Sequence, residues 1–161
     1  MKFKVVSAVA ALAFLAACST TPETGSGQTG GGAAPVAAPS GPAAGSQQEF
    51  MQEVGDRVLF AFDSYSLDSQ AQQTLRRQAA WLQQYPRYSV TIEGHADERG
   101  TREYNLALGA RRANAVETYL ESLGVPGTRV SSVSYGKERP TCSQPSESCW
   151  SRNRRGMTVL R

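Results

Sequence analysis

Residues 94–116 read Gly94-His95-Ala96-Asp97-Glu98-Arg99-Gly100-Thr101-Arg102-Glu103-Tyr104-Asn105-Leu106-Ala107-Leu108-Gly109-Ala110-Arg111-Arg112-Ala113-Asn114-Ala115-Val116. The stretch starts where the alternating segment Ser89 to Glu93 runs out, crosses a polar loop bounded by Gly94 and Gly100, and continues with helical spacing. It is therefore a strand-loop-helix unit with charges at its junction. A period of 3.6 places Leu106, Ala110, Ala113, Glu117 and Leu120 on one side, the side expected to face a sheet. Asn105 and Arg112, seven apart, share a flanking side that looks toward the loop. Arg111 is turned about 100° from Arg112 and is expected in solvent, so the two arginines should do different jobs.

Asp97 in the loop and Arg112 on the helix set opposite charges beside a helix N-terminus, whose free N–H groups attract anions. This arrangement suits a ligand carrying both an amine and a carboxylate. An ion pair that only ties loop to helix uses the same residues, and by spacing alone it is the commoner outcome.

Outward from this unit, the roughly 115 residues from Gln47 suit one domain with one core. Val58 to Phe62 reads as a first strand, and Asp68 as the N-cap of a helix from Ser69 to Gln84. That helix places Ala71, Leu75, Ala79 and Leu82 inward and is stopped by Pro86. Ser89 to Glu93 is the second strand, with Val90 and Ile92 inward. After the second helix, Leu123-Gly124 supplies a left-handed stop. Val130 to Tyr135 and Met157 to Leu160 read as the third and fourth strands. This order argues for a single sheet with helices packed on it.

The run from Gly94 to Gly100, with Asn105, Leu108 and Arg111-Arg112-Ala113-Asn114-Ala115-Val116, resembles the peptidoglycan-binding signature of OmpA-like C-terminal domains. Ala96 and the following Asp-Glu-Arg-Gly are more similar to the peptidoglycan-associated lipoprotein branch of that family. Phe60-Ala61-Phe62-Asp63, Ser134 to Pro140 and Asn153-Arg154-Arg155 extend the likeness over about 105 residues. The resemblance implies an α+β fold, the OmpA-like α/β sandwich, with a mixed four-stranded sheet in βαβαββ order. It implies non-covalent binding of the peptidoglycan stem peptide, chiefly its diaminopimelate residue. The ligand-binding residues it implies are Asp97, Arg112, Asp63, Phe62, Gly94, His95, Asn105 and Leu108. By resemblance alone, TolB and other Tol proteins of the envelope and cell-division machinery are expected partners. A cysteine-closed segment at 142–149 and the pair Gly156-Met157 depart from the family pattern.

Residues 1–17 read as a signal peptide: Lys2 and Lys4, the apolar run Val5 to Ala17, then small residues before Cys18. Leu15-Ala16-Ala17-Cys18 resembles a bacterial lipobox, which implies acylation of Cys18 and, with Ser19 next, delivery to the outer membrane with the domain in the periplasm. An acylated cysteine holds a bilayer at about 0.8 kcal/mol per buried methylene. Residues 18–46, rich in Gly, Ala, Pro, Ser and Thr, read as a tether. As a coil it spans roughly 30 Å, and at full extension roughly 90 Å. Loss of Lys2 and Lys4 with the leader lowers the formal charge from +3 to +1. The isoelectric point of 8.9 thus says little about partners, and no nucleic acid, cofactor or metal is expected.

Cys142 and Cys149 remain as an even pair in an oxidising compartment, which favours a structural disulfide over zinc or redox chemistry. Catalysis is not expected either. The chain holds one histidine, His95, read as a loop-packing residue, and has no Gly-x-Ser-x-Gly elbow. The rival class is a cell-wall hydrolase using Glu93, Asp97 and Glu98, which would require two of these carboxylates to converge. A structural lipoprotein acting through protein partners is the third class.

Overall fold

The computed structural model describes residues 41–161. The leader, Cys18 and the tether up to residue 40 lie outside the described residues. A helical turn, Gln47–Glu49, continues as a π-helix, Phe50–Gly55 (together α1). There follow β1 (Arg57–Leu59), α2 (Ser69–Gln84), β2 (Val90–His95), α3 (Arg102–Ser122), a 3-10 turn (Gly127–Arg129), β3 (Val130–Gly136), α4 (Glu147–Asn153) and β4 (Arg155–Leu160). The sheet order is β1-β4-β2-β3. β2 and β3 are parallel, whereas β4 runs antiparallel to both β1 and β2. The fold is the expected α+β sandwich with a mixed four-stranded sheet, and it adds two helices, α1 and α4, that periodicity did not reveal.

α2 forms where it was predicted. The Asp68 side chain accepts the Ala71 N–H at 2.8 Å, a cap that contributes about 1 kcal/mol, and Ala71, Leu75, Ala79 and Leu82 are all buried. Gly124 takes φ +92° behind α3, as its stop position requires. α1 is held from a distance. Trp81 Nε1 donates to Glu49 at 2.7 Å, while the Trp81 ring packs on Phe50, Tyr85 and Tyr88. Buried Gln78 joins three elements, donating to the Gly55 carbonyl at 2.6 Å and accepting from Thr158 Oγ1 at 2.8 Å.

Two expectations change. The first strand was read as Val58 to Phe62, but only Arg57–Leu59 pairs with β4. The Phe60 N–H still reaches the Arg154 carbonyl. Beyond it the Ala61 carbonyl is taken by Arg112, and Asp63, at φ +52°, turns the chain away. The buried side of α3 is also rotated from the expected one. It comprises Asn105, Leu108, Gly109, Arg112, Ala113, Val116 and Leu120, while Leu106 is 43% exposed, Ala110 is exposed and Glu117 half-buried. The cause is a backbone-to-backbone approach. A Cβ on Gly94 would lie 1.9 Å from the Gly109 carbonyl oxygen, so α3 turns its glycine, not Leu106, onto β2.

Candidate functional site

The loop after β2 is built by its neighbours. Both N–H groups of the Asn105 amide donate to loop carbonyls, those of Arg99 (2.8 Å) and Thr101 (3.1 Å). Lys137 Nζ reaches the carbonyls of Glu98 (3.2 Å) and Gly100 (2.7 Å). Thr101 caps α3 by accepting the Tyr104 N–H. The loop is thereby fixed against both α3 and the end of β3.

Arg112 lies beneath it, fully buried. Nε donates to the Ser64 carbonyl (2.8 Å), Nη1 to that of His95 (2.8 Å) and Nη2 to that of Ala61 (3.2 Å). Of five N–H donors, two remain uncommitted. Burial lowers its pKa to about 10, so it stays charged at neutral pH. Asp97, 5% exposed, carries a saturated carboxylate. Oδ1 accepts from the Arg99 N–H (3.1 Å) and Arg99 Nε (3.2 Å). Oδ2 accepts from Arg99 Nη2 (2.7 Å) and Arg154 Nη1 (3.2 Å). Burial alone would raise the Asp97 pKa, but the bonds from Arg99 and Arg154 outweigh it and hold the group below the usual carboxylate range. Asp97 and Arg112 are therefore not a simple pair with each other, since each has other partners.

A cavity of about 220 Å³ opens above them, lined by Phe62, Asp63, Asp97, Arg99, Gly100, Tyr104, Asn105, Leu108 and Arg112. Six of the eight residues implied by resemblance line it. Gly94 and His95 do not. Gly94 is a packing position, and His95 contributes only its carbonyl, to Arg112. The imidazole is 1% exposed and packs on Tyr135 across the sheet. Its pKa falls to about 4 through burial and the charges of Arg155 and Arg139. Tyr104 donates its hydroxyl to Asp63 at the rim.

Three residues here were not singled out by the sequence. Arg154 is buried and divides its donors among Asp97, the Phe60 carbonyl (3.0 Å) and Glu147 (2.5 Å). Arg99 stands between the rings of Phe62 and Trp150, its Cζ 4.2 Å from each centroid. Trp150 also donates Nε1 to Glu98 at 2.9 Å. Trp150 and Glu147 belong to α4, inside and beside the disulfide Cys142–Cys149, whose Cα atoms are 5.7 Å apart. The departure from the family pattern thus reaches the rim of the cavity. The signal available was Asn153-Arg154-Arg155, part of the resemblance but without an assigned role.

The model of the OmpA family matches residues 59–154, a span that contains the whole cavity. The chain belongs to the OmpA family. Within it, the chain is 53% identical over 158 residues to the peptidoglycan-associated lipoprotein of Agrobacterium fabrum, covering 97% of this chain and 86% of that one. The crystal structure of the peptidoglycan-associated lipoprotein from Burkholderia pseudomallei superposes with a TM-score of 0.64 at 44% identity, over 66% of this chain and 90% of that one. The C-terminal domain of Helicobacter pylori MotB shares the family fold, with a TM-score of 0.62 at 24% identity over 66% of this chain and 84% of that one. The family likeness that the motif predicted therefore holds over residues 59–154, and the likeness to the Agrobacterium lipoprotein extends over 97% of the chain.

Proposed function

We propose that this chain is an outer-membrane lipoprotein whose periplasmic domain binds peptidoglycan non-covalently, seating the diaminopimelate of the stem peptide in the Phe62–Arg112 cavity. The observation that carries the reading is the meeting of Asp97 and Arg112 in one small recess. At about 220 Å³ it is below the usual range for whole small-molecule ligands and suits the charged end of one amino-acid residue. The ligand ammonium is assigned to Asp97. The carboxylate is assigned to the two uncommitted N–H groups of Arg112, with backbone N–H groups near Asp63 completing the anion site. The relatives' name, peptidoglycan-associated lipoprotein, supports peptidoglycan as the polymer bound; the choice of diaminopimelate rests on the charges of the recess.

The reading as a binder rather than a hydrolase is supported by the placement of the carboxylates. Of the three, Asp97 alone lines the cavity, Glu98 is engaged by Trp150, and Glu93 lies along β2, so no two of them converge on it. Membrane attachment through an acylated Cys18, and partnership with TolB and the Tol system in envelope integrity and cell division, complete the proposal on family grounds. The loops Asp63 to Leu67 and Glu98 to Arg102 would serve TolB and cell wall in turn. Sedimentation with purified cell-wall sacculi tests the binding. The full chain in detergent should co-sediment, Asp97→Asn should reduce this at least about tenfold, and the sacculi should release no soluble fragments. Unchanged sedimentation of Asp97→Asn removes the site from the reading, and released fragments restore the hydrolase.

A further inference from the structure

In this structure the place assigned to the ligand's ammonium is already filled by a cation of the chain itself. Two aromatic rings and a carboxylate form a cage suited to a positive group, and the group within it is the Arg99 guanidinium. Every acceptor direction of the Asp97 carboxylate is in use, three of the four by Arg99. Arg154 is buried and fixed by two further bonds. Arg99 instead has a third of its side chain exposed and springs from a surface loop, so it is the partner that can leave. Its departure costs the two side-chain bonds to Asp97, the ring contacts and a long ion pair to exposed Glu147 at 3.8 Å, while the Arg99 backbone N–H stays on Asp97.

We infer that Arg99 is an internal competitor for the amine subsite, displaced when ligand binds, and that it sets the specificity of the site for zwitterions over simple amines. This rests on the reading that the ligand's ammonium goes to Asp97. A ligand bringing only an ammonium exchanges one cation for another at Asp97 and gains little. A ligand that also brings a carboxylate gains at Arg112 what the exchange does not give, and the released Arg99 remains beside that carboxylate. Trp150 and Glu147 hold Arg99 and Arg154 from α4, so the disulfide-closed segment acts on the site through this competitor.

Calorimetry on the full chain in detergent tests the inference, with two probes: the stem tripeptide L-Ala-γ-D-Glu ending in meso-diaminopimelate, and the same tripeptide ending in lysine. Arg99→Gln keeps the side-chain stem between the rings and removes the charge. It is expected to tighten the diaminopimelate peptide by about threefold and the lysine peptide by about tenfold, the range of an exposed ion pair with cation–π support, so the preference between them shrinks. Arg99→Lys, which keeps the charge, should stay within about twofold of the parent chain for both probes. A role confined to holding the loop would weaken or leave unchanged both affinities in Arg99→Gln, and either result overturns the inference. Asp97→Asn separates the two levels. If it binds the diaminopimelate peptide as the parent does, the amine is not at Asp97 and the underlying reading fails. If it loses binding while Arg99→Gln does not tighten, that reading stands and the competitor falls.

Discussion

Arg112 commits three of its N–H groups to the carbonyls of Ala61, Ser64 and His95, so it builds the recess as well as lining it. Arg112→Ala removes a charged donor from each of those carbonyls, of which Ala61 keeps the Ser64 N–H, and should destabilise the domain by about 3 kcal/mol in urea unfolding. Arg111→Ala, at an exposed position, should stay within about 0.5 kcal/mol. His95 gives a pH signature. Its pKa is lowered to about 4 in the fold against about 6.5 in an unfolded chain. The unfolded chain therefore binds the extra proton between those values, and stability is full above about pH 6.5 and falls as pH drops toward 4. His95→Gln should flatten the stability profile across that window, as read by chemical unfolding at each pH; a parallel profile would show that another group is responsible. The sequence showed that Asp97 and Arg112 belong together and that Arg111 is the solvated neighbour. It did not show their burial, because periodicity assigns charged side chains outward. Only the carbonyls of a distant loop, 48 and 51 residues away in sequence, explain an arginine on an inward face.

α3 and β2 approach closely because Gly94 and Gly109 meet without side chains between them. Gly94→Ala forces a carbon into a backbone oxygen and should cost more than about 2 kcal/mol, measurable as a lowered thermal midpoint. An unchanged midpoint would mean that the helix can slide on the sheet. At the other end of the site, Asn153 bridges its segment by accepting the Thr141 N–H at 2.8 Å and donating to the Cys142 carbonyl at 2.9 Å. Reducing Cys142–Cys149 should therefore lower amide-exchange protection chiefly in residues 141–153, with α2 and the sheet nearly unaffected, while lowering stability by about 2 to 3 kcal/mol. α2 was legible in sequence to its end residues because cap, apolar stripe and following proline all agree. α4, at seven residues, and α1 were not. Helices so short carry little periodic signal, and α1 depends further on the Trp81–Glu49 bond, between residues 32 apart in sequence.

The whole molecule, as proposed, is a binding domain on a tether of some 28 residues ending at a lipid. Its reach of roughly 30 Å as a coil lets one chain hold the membrane and the wall together without either contact being covalent to the wall. Cys18→Ala should move the protein from the membrane to the soluble fraction of the cell envelope while leaving its affinity for sacculi intact, and retention in the membrane would point to another anchor. This organisation rests on composition and the lipobox alone, since neither a leader nor a tether depends on tertiary contacts. Strand order was not readable, because β4 inserts between β1 and β2 through pairings far apart along the chain. What the recess is proposed to recognise is a residue that carries both charges. Titration calorimetry of the full chain with the meso-diaminopimelate tripeptide, against its lysine counterpart, separates this from recognition of an amine alone. Saturable one-to-one binding of the first is expected, with at least about tenfold weaker binding of the second and recovery of both peptides intact. Equal affinity for the two, or binding of neither, would contradict it.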